Sequence, residues 1–322
     1  MTSQKDSNLS ALPLIKTLKN KTNIDVQVIM EDVKRALLED LSESSVSASS
    51  ALYSDEKTQQ TYIQMLVSQD ITANLIAINA TANAHIICRE DIVLCGREWA
   101  QQAFLLVDPT LQLDWHFSDG DFIPANSSLV NITGNARSIL TGERTALNFL
   151  QMLSGTATTT ASYVKHLEGS HTQLLDTRKT IPGFRQAQKY AVVCGGGKNH
   201  RMGLYDAFLI KENHIKACGS IKNAIVQAKH LHSEKTVEIE VESLAELEQA
   251  IAAGADIVML DNFSTEQIQE AVSINNQQCK LEVSGNITEK RLAELAKTSV
   301  DFVSSGAITK HVKAVDLSLL IL

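Results

Sequence analysis

Arg178 and Lys179 lie in LLDTRKT, His200 and Arg201 in GGGKNHRMG, and Lys211 in AFLIKENH, each after an apolar run. Two acids follow in the same kind of place, Glu240 in VEIEVES and Asp261 in IVMLDNF. Charge that begins where an apolar strand stops is charge at the rim of a sheet. Cations gathered there can grip an anion. Arg offers a planar fork to a carboxylate, and Lys is a compact charge suited to phosphate. His200 alone carries little weight. The chain has a formal net charge of -8, so these cations are a local choice.

The acids suggest a second function beside the first. Residues 238, 240 and 242 share one face of a strand. Acids on an inward face must be solvated, paired or bound to a metal. They are either ion-pair partners of the nearby Lys and Arg, or ligands of Mg²⁺, which takes oxygen donors and bridges to phosphates. Their place at strand ends favours metal or substrate work. Two short turns complete the set. Ser284-Gly285-Asn286 follows LEV, and Ser305-Gly306-Ala307 follows DFVS. Small residues leave backbone N–H groups open to an anion. GGGKNHR is not a Walker A loop, because Val192 and Asn199 stand where that motif needs Gly and Ser or Thr. His230 and His232 read as solvated residues at a helix end.

The elements that would position these residues change texture along the chain. Residues 24–41 have helical spacing, and 42–56 is a Ser-rich loop followed by a short helix. From 71 to 135 the pattern suggests a mostly antiparallel α+β domain: strands from residue 73 onward, a helix in REWAQQAFLLV, and an Asp119-Gly120 hairpin. A long helix is expected after residue 142. Six apolar strands then centre near 175, 209, 239, 259, 282 and 303, separated by helical segments. Repeated βα units imply a parallel sheet. The charges fall after nearly every strand and not at one switch point, which favours a barrel over an open doubly wound sheet.

Composition excludes several classes. The acidic balance and 5% aromatic content argue against a nucleic-acid surface. No stretch approaches a membrane span, so the expected location is the cytoplasm. Five scattered Cys without a CxxC read as thiols of a reducing compartment, not a zinc or disulfide framework.

The stretches GERTALNFLQMLSGTAT, LLDTRKTIPGFR, KYAVVCGGGKNHRMGLYDAFLIKENH, VEIEVESLAEL, ADIVMLDNF, LEVSGNI and VSSGAIT, in this order, resemble the quinolinate phosphoribosyltransferase family. The N-terminal third is similar only through EDL, DITA and REDIVLCG. The resemblance implies an α/β fold: an N-terminal sandwich domain over 1–141 and an open, TIM-like α/β barrel over 142–309, with 310–322 packing back on the first domain. It implies a homodimer that converts quinolinate and phosphoribosyl pyrophosphate to nicotinate mononucleotide, pyrophosphate and CO₂, using Mg²⁺. On that reading Arg178, His200 and Arg201 hold the two carboxylates, and Lys179 and Lys211 lie between them and the phosphates. Glu240 and Asp261 serve the ribose and Mg²⁺–pyrophosphate. Ser284, Gly285, Asn286, Ser305, Gly306 and Ala307 cradle the 5′-phosphate, and Arg144 reaches into the neighbouring subunit's site. The chain departs from the family in a longer link over 42–69, and in Lys310-His311 where many members read His-Ser. Three rivals remain: a Schiff-base aldolase built on Lys211, a non-catalytic binder of a phosphorylated ligand, and an enzyme taking plain nicotinate.

Overall fold

The structure is a computed structural model that describes residues 24–42 and 56–322. The interior of the Ser-rich stretch, 43–55, lies outside the described residues. The chain divides into two compact units. The first runs to Thr158 and takes in Gln186–Cys194 and Lys313–Leu322; the second comprises Thr159–Arg185 and Gly195–Val312. Among the described residues no helix is long and apolar enough to cross a membrane.

In the first unit, helical spacing buries Ile29, Val33 and Leu37 along one stripe of the helix Val26–Leu41. The Asp25 side chain caps that helix by accepting the N–H of Gln27 at 3.0 Å. Five strands follow: β1 (Thr81–Cys88), β2 (Ile92–Val93), β3 (Gln112–Trp115), β4 (Phe122–Ile123) and β5 (Ser128–Asn135). The chain's last strand, Leu317–Ile321, returns to pair antiparallel with β1, giving a sheet in the order last strand, β1, β5, β3. Alternation buries Ala84, Ile86 and Cys88 on one face of β1.

Two local expectations fail for identifiable reasons. The extended run expected from residue 73 is a 3-10 turn over Ala73–Leu75. The Asp70 carboxylate accepts the N–H groups of Thr72 and Ala73 at 3.0 and 2.9 Å and holds that turn. Asp119-Gly120 does not close a hairpin, since β3 pairs with β5 and β4 with β2. Asp119 instead accepts from the N–H groups of Gly96 and Arg97, both at 3.1 Å, and so caps the helix Arg97–Val107. The Tyr190 hydroxyl donates to the same carboxylate at 2.8 Å.

The helix Ala136–Lys165 begins earlier than expected, so residues 141 and 142 fall inside a continuous helix. Its Gly155 is required by a close approach: a Cβ there would stand 2.1 Å from the backbone oxygen of Lys313. Backbone cannot yield as a flexible side chain does. Gly155→Ala should therefore cost about 3 kcal/mol, the upper end for overpacking, seen as a lower urea midpoint.

The second unit holds β6 (Gln173–Leu175), β7 (Phe208–Ile210), β8 (Val237–Val241), β9 (Ile257–Asp261), β10 (Lys280–Ser284) and β11 (Phe302–Ser304). All neighbours are parallel, in the order β6-β11-β10-β9-β8-β7. Read around from β7, that order follows the chain and closes on its first strand. There is no reversal, as a doubly wound sheet would need. The ladder between β6 and β7 is missing among the described residues, so the fold is an open α/β barrel. Ser243, Ser264 and Thr288 cap the helices after β8, β9 and β10 with their side-chain oxygens. Val237, Ile239, Val241, Val258, Leu260, Leu281 and Val283 are buried at alternate positions. The intervening residues, Glu240, Met259, Asp261, Glu282 and Ser284, line a cavity. Period-two alternation thus turns acids and small polar groups toward the barrel interior.

Candidate active site

The cavity at the barrel mouth is about 470 Å³. It is lined by Arg178, Lys179, His200, Arg201 and Lys211, facing Glu240 and Asp261. Arg178 and Lys179 follow β6, His200 and Arg201 follow the glycine loop, and Lys211 follows β7. Asp176, fully buried at the end of β6, positions the loop. It accepts the backbone N–H of His200 at 2.9 Å and the Asn199 amide at 2.6 Å. Burial, and then the charge of Arg178, holds the Arg201 guanidinium below its ordinary range. The Nε of Arg178 is buried and makes no hydrogen bond among the described residues. Two crowded guanidiniums, one with an unspent donor, form a pocket that an anion would stabilise.

The carboxylates sit across the same cavity. Lys211 makes an ion pair with Glu240. Asp261 accepts from the Asn262 amide at 3.0 Å. Burial and then the charge of Glu240 raise the Asp261 carboxyl above the usual range, while Lys211 and Lys179 oppose the shift. Strand register explains the pairing. Glu240 is level with Met259, and Asp261 is one inward position further along the neighbouring strand. Of the three acids expected on one face of β8, Glu238 is buried, Glu240 is partly exposed and Glu242 is exposed.

A second cavity of about 420 Å³ shares Lys179, Asp261 and Ser284 with the first and adds Gly285, Asn286, Ser305, Gly306 and Ala307. Gly285 has φ +98, and a Cβ there would meet Asn262 Oδ1 at 2.3 Å. A Cβ on Gly306 would meet Lys179 Cδ at 2.7 Å. Both turns therefore bring backbone close to the polar groups of the neighbouring strand ends. Thr309, just after the last turn, ties it to the segment that follows β6 by donating to the Lys179 carbonyl at 2.9 Å. Lys310 also lines this cavity.

Arg144 is the one expected site residue placed elsewhere. It lies on the helix Ala136–Lys165 in the first unit and lines neither barrel cavity. Sequence reasoning missed Glu282, and it grouped Glu238 with Glu240 and Glu242 without its contact to His200. Glu282, 0% exposed, lines the first cavity, and Glu238, 3% exposed, lies close to it. His200 Nε2 stands 2.8 Å from Glu238 and 3.6 Å from Glu282. Burial first, and the Glu238 charge second, push the Glu282 carboxyl up to about 8, with His200 opposing. One signal was available: a lone acid inside the apolar strand KLEVS.

A parallel barrel with an anion pocket, an acid pair and two small-residue turns at its strand ends belongs to the class that handles phosphorylated, anionic small molecules. Comparison with known proteins narrows this. Residues 156–320 match the family model of the quinolinate phosphoribosyl transferase C-terminal domain, and residues 70–154 match its N-terminal domain. A solved nicotinate-nucleotide pyrophosphorylase from Francisella tularensis is 49% identical, with TM-score 0.83, over 93% of this chain and 98% of that one. A Bacillus subtilis protein named probable nicotinate-nucleotide pyrophosphorylase (carboxylating) is 37% identical over 259 residues, 80% of this chain and 90% of its own. A Nicotiana tabacum protein named quinolinate phosphoribosyltransferase (decarboxylating) 1b is 36% identical over 284 residues, 80% of each. The chain belongs to the quinolinate phosphoribosyltransferase family.

Proposed function

We propose that the chain transfers the phosphoribosyl group of phosphoribosyl pyrophosphate to quinolinate with decarboxylation. The products are nicotinate mononucleotide, pyrophosphate and CO₂, a step of NAD biosynthesis. The observation that carries this is the crowded Arg178–Arg201 pair, with its unspent buried Nε, beside the Glu240–Asp261 acids on one barrel rim. A diacid needs more than one fork, and a single-carboxylate acceptor such as nicotinate would leave one idle.

In this reading Arg178, His200 and Arg201 clamp the quinolinate carboxylates and aim the ring nitrogen at C1′ of the ribose. No base is needed to free that lone pair. Lys179 and Lys211 offset the charge that develops on the departing pyrophosphate. Glu240 and Asp261 face the ribose, whose transition state gains positive charge. Ser284, Gly285, Asn286, Ser305, Gly306 and Ala307 hold the 5′-phosphate through backbone N–H groups, with Lys310 as a further cation. The nitrogen becomes a pyridinium, which stabilises the electron pair left when the adjacent carboxylate departs as CO₂.

The acid pair fits Mg²⁺. Both are hard oxygen donors from neighbouring strands. Burial first, and then the charge of Glu240, raise the Asp261 carboxyl, and a cation between the two acids would relieve the second effect. When bound, Mg²⁺ supplies charge neutralisation to pyrophosphate. Arg144 acts across a homodimer, entering the partner's cavity from the first unit. The aldolase alternative is weakened by the Lys211–Glu240 ion pair, because an amine tied in that way is not a free nucleophile.

Acceptor competition tests the reading. Pyrophosphate release should be supported by quinolinate and not by nicotinate, with nicotinate mononucleotide identified by mass. Equal rates with plain nicotinate would sink the diacid assignment, and binding without turnover would favour a non-catalytic relative.

A further inference from the structure

The deepest titratable group on the cavity wall has no part in the steps above. Glu282 is 0% exposed, yet it forms part of the wall that also carries Arg178, His200 and Arg201. Among the described residues neither of its carboxyl oxygens makes a hydrogen bond of normal geometry, and Ser304 Oγ beside it also has none. Its ionisable neighbours are Glu238 and His200, whose Nε2 lies 3.6 Å away. Two buried carboxyls this close to one imidazole cannot both ionise cheaply. His200 compensates the one it touches at 2.8 Å, Glu238, which leaves Glu282 as the acid that keeps its proton. Burial and the Glu238 charge hold that proton up to about pH 8. A neutral carboxylic acid there does not repel a dianionic ligand, and it has one proton to give.

We propose that Glu282 is the general acid that protonates the pyridine ring carbon vacated by CO₂. The inference rests on the quinolinate reading. The bond from the ring carbon to its carboxylate breaks, CO₂ leaves, and the electron pair stays on the carbon beside the pyridinium nitrogen. The Glu282 O–H bond breaks, its proton forms the new C–H bond, and its electron pair remains on Glu282 as carboxylate. Two adjacent carboxylates then face each other, so Glu282 regains a proton from solvent once product leaves. A protein acid at this position spares the cavity a water molecule beside a reactive carbanion.

Glu282→Gln keeps shape and neutrality and removes only the acid proton. In single-turnover quench experiments, pyrophosphate release and quinolinate KM should stay within about threefold of wild type, while nicotinate mononucleotide formation slows by about 100-fold, the low end for general acids. A dicarboxylated nucleotide should accumulate between the two steps. Glu282→Asp retains an acid at shorter reach and should recover part of the rate. In an equal mixture of H₂O and D₂O, the deuterium content of the new C–H bond should differ between wild type and Glu282→Gln, as a change of proton donor demands. Wild-type product formation in Glu282→Gln, or a parallel fall of both steps with no rescue by Asp, would overturn the assignment. Should Glu282→Gln not fold, Glu282→Asp decides: a slowed second step with normal pyrophosphate release supports the role, and equal slowing of both refutes it. A wild-type protein that makes no nicotinate mononucleotide would end the phosphoribosyl-transfer reading itself, before Glu282 enters.

Discussion

Arg201→Ala should lower kcat/KM for quinolinate by about 30- to 900-fold, roughly 2–4 kcal/mol of transition-state stabilisation from one charged clamp. The size follows from its surroundings. Arg201 shares a partly buried pocket with Arg178, so its interaction with a carboxylate is weakly screened. Removing it also relieves the crowding of Arg178, which keeps the loss below that of an isolated buried pair. The phosphoribosyl pyrophosphate KM should change little, because Arg201 lines the first cavity and not the second. Steady-state kinetics with each substrate varied in turn checks both halves. Wild-type turnover, or a loss confined to the phosphoribosyl donor, would remove Arg201 from the acceptor pocket.

Asp261→Asn should be the more damaging change to turnover. Asn preserves size but removes a charge on the wall shared by both cavities. The variant loses the anion that balances Lys179 and Lys211 and one proposed Mg²⁺ donor. We expect kcat to fall by about 100- to 1,000-fold, the scale of one transition-state electrostatic contact. The Mg²⁺ concentration giving half-maximal rate should rise at the same time. A metal titration of the rate measures both. A drop in kcat at unchanged Mg²⁺ requirement would keep Asp261 near the ribose but take it away from the metal.

The barrel was readable because parallel strands are buried on both faces, so any charge in them stands out. Strands centred near 175, 209, 239, 259, 282 and 303 all formed, and the sheet order lacks a reversal. The same contrast marked Lys211 and Asp261, which end apolar runs, and Glu240, which alternates with apolar residues in VEIEV. The residues of the two small turns were readable as a pair because Gly285 and Gly306 follow consecutive strands. Other features depended on long-range partners. Asp119-Gly120 looked like a hairpin, but Asp119 is engaged by the N–H groups of Gly96 and Arg97 and by the Tyr190 hydroxyl, three partners no local window contains. Glu282 looked like one acid in a strand, and its meaning appears only with Glu238 and His200 around it. Arg144 carries no local signal beyond the family motif.

The most direct measurement is the ultraviolet absorbance of quinolinate, followed while phosphoribosyl pyrophosphate and Mg²⁺ are each added or withheld. The account predicts loss of the quinolinate band only when both are present, with one CO₂ released per quinolinate consumed. Consumption without phosphoribosyl pyrophosphate, or none with the complete mixture, would contradict a cation-lined diacid cup working beside an acid-held metal.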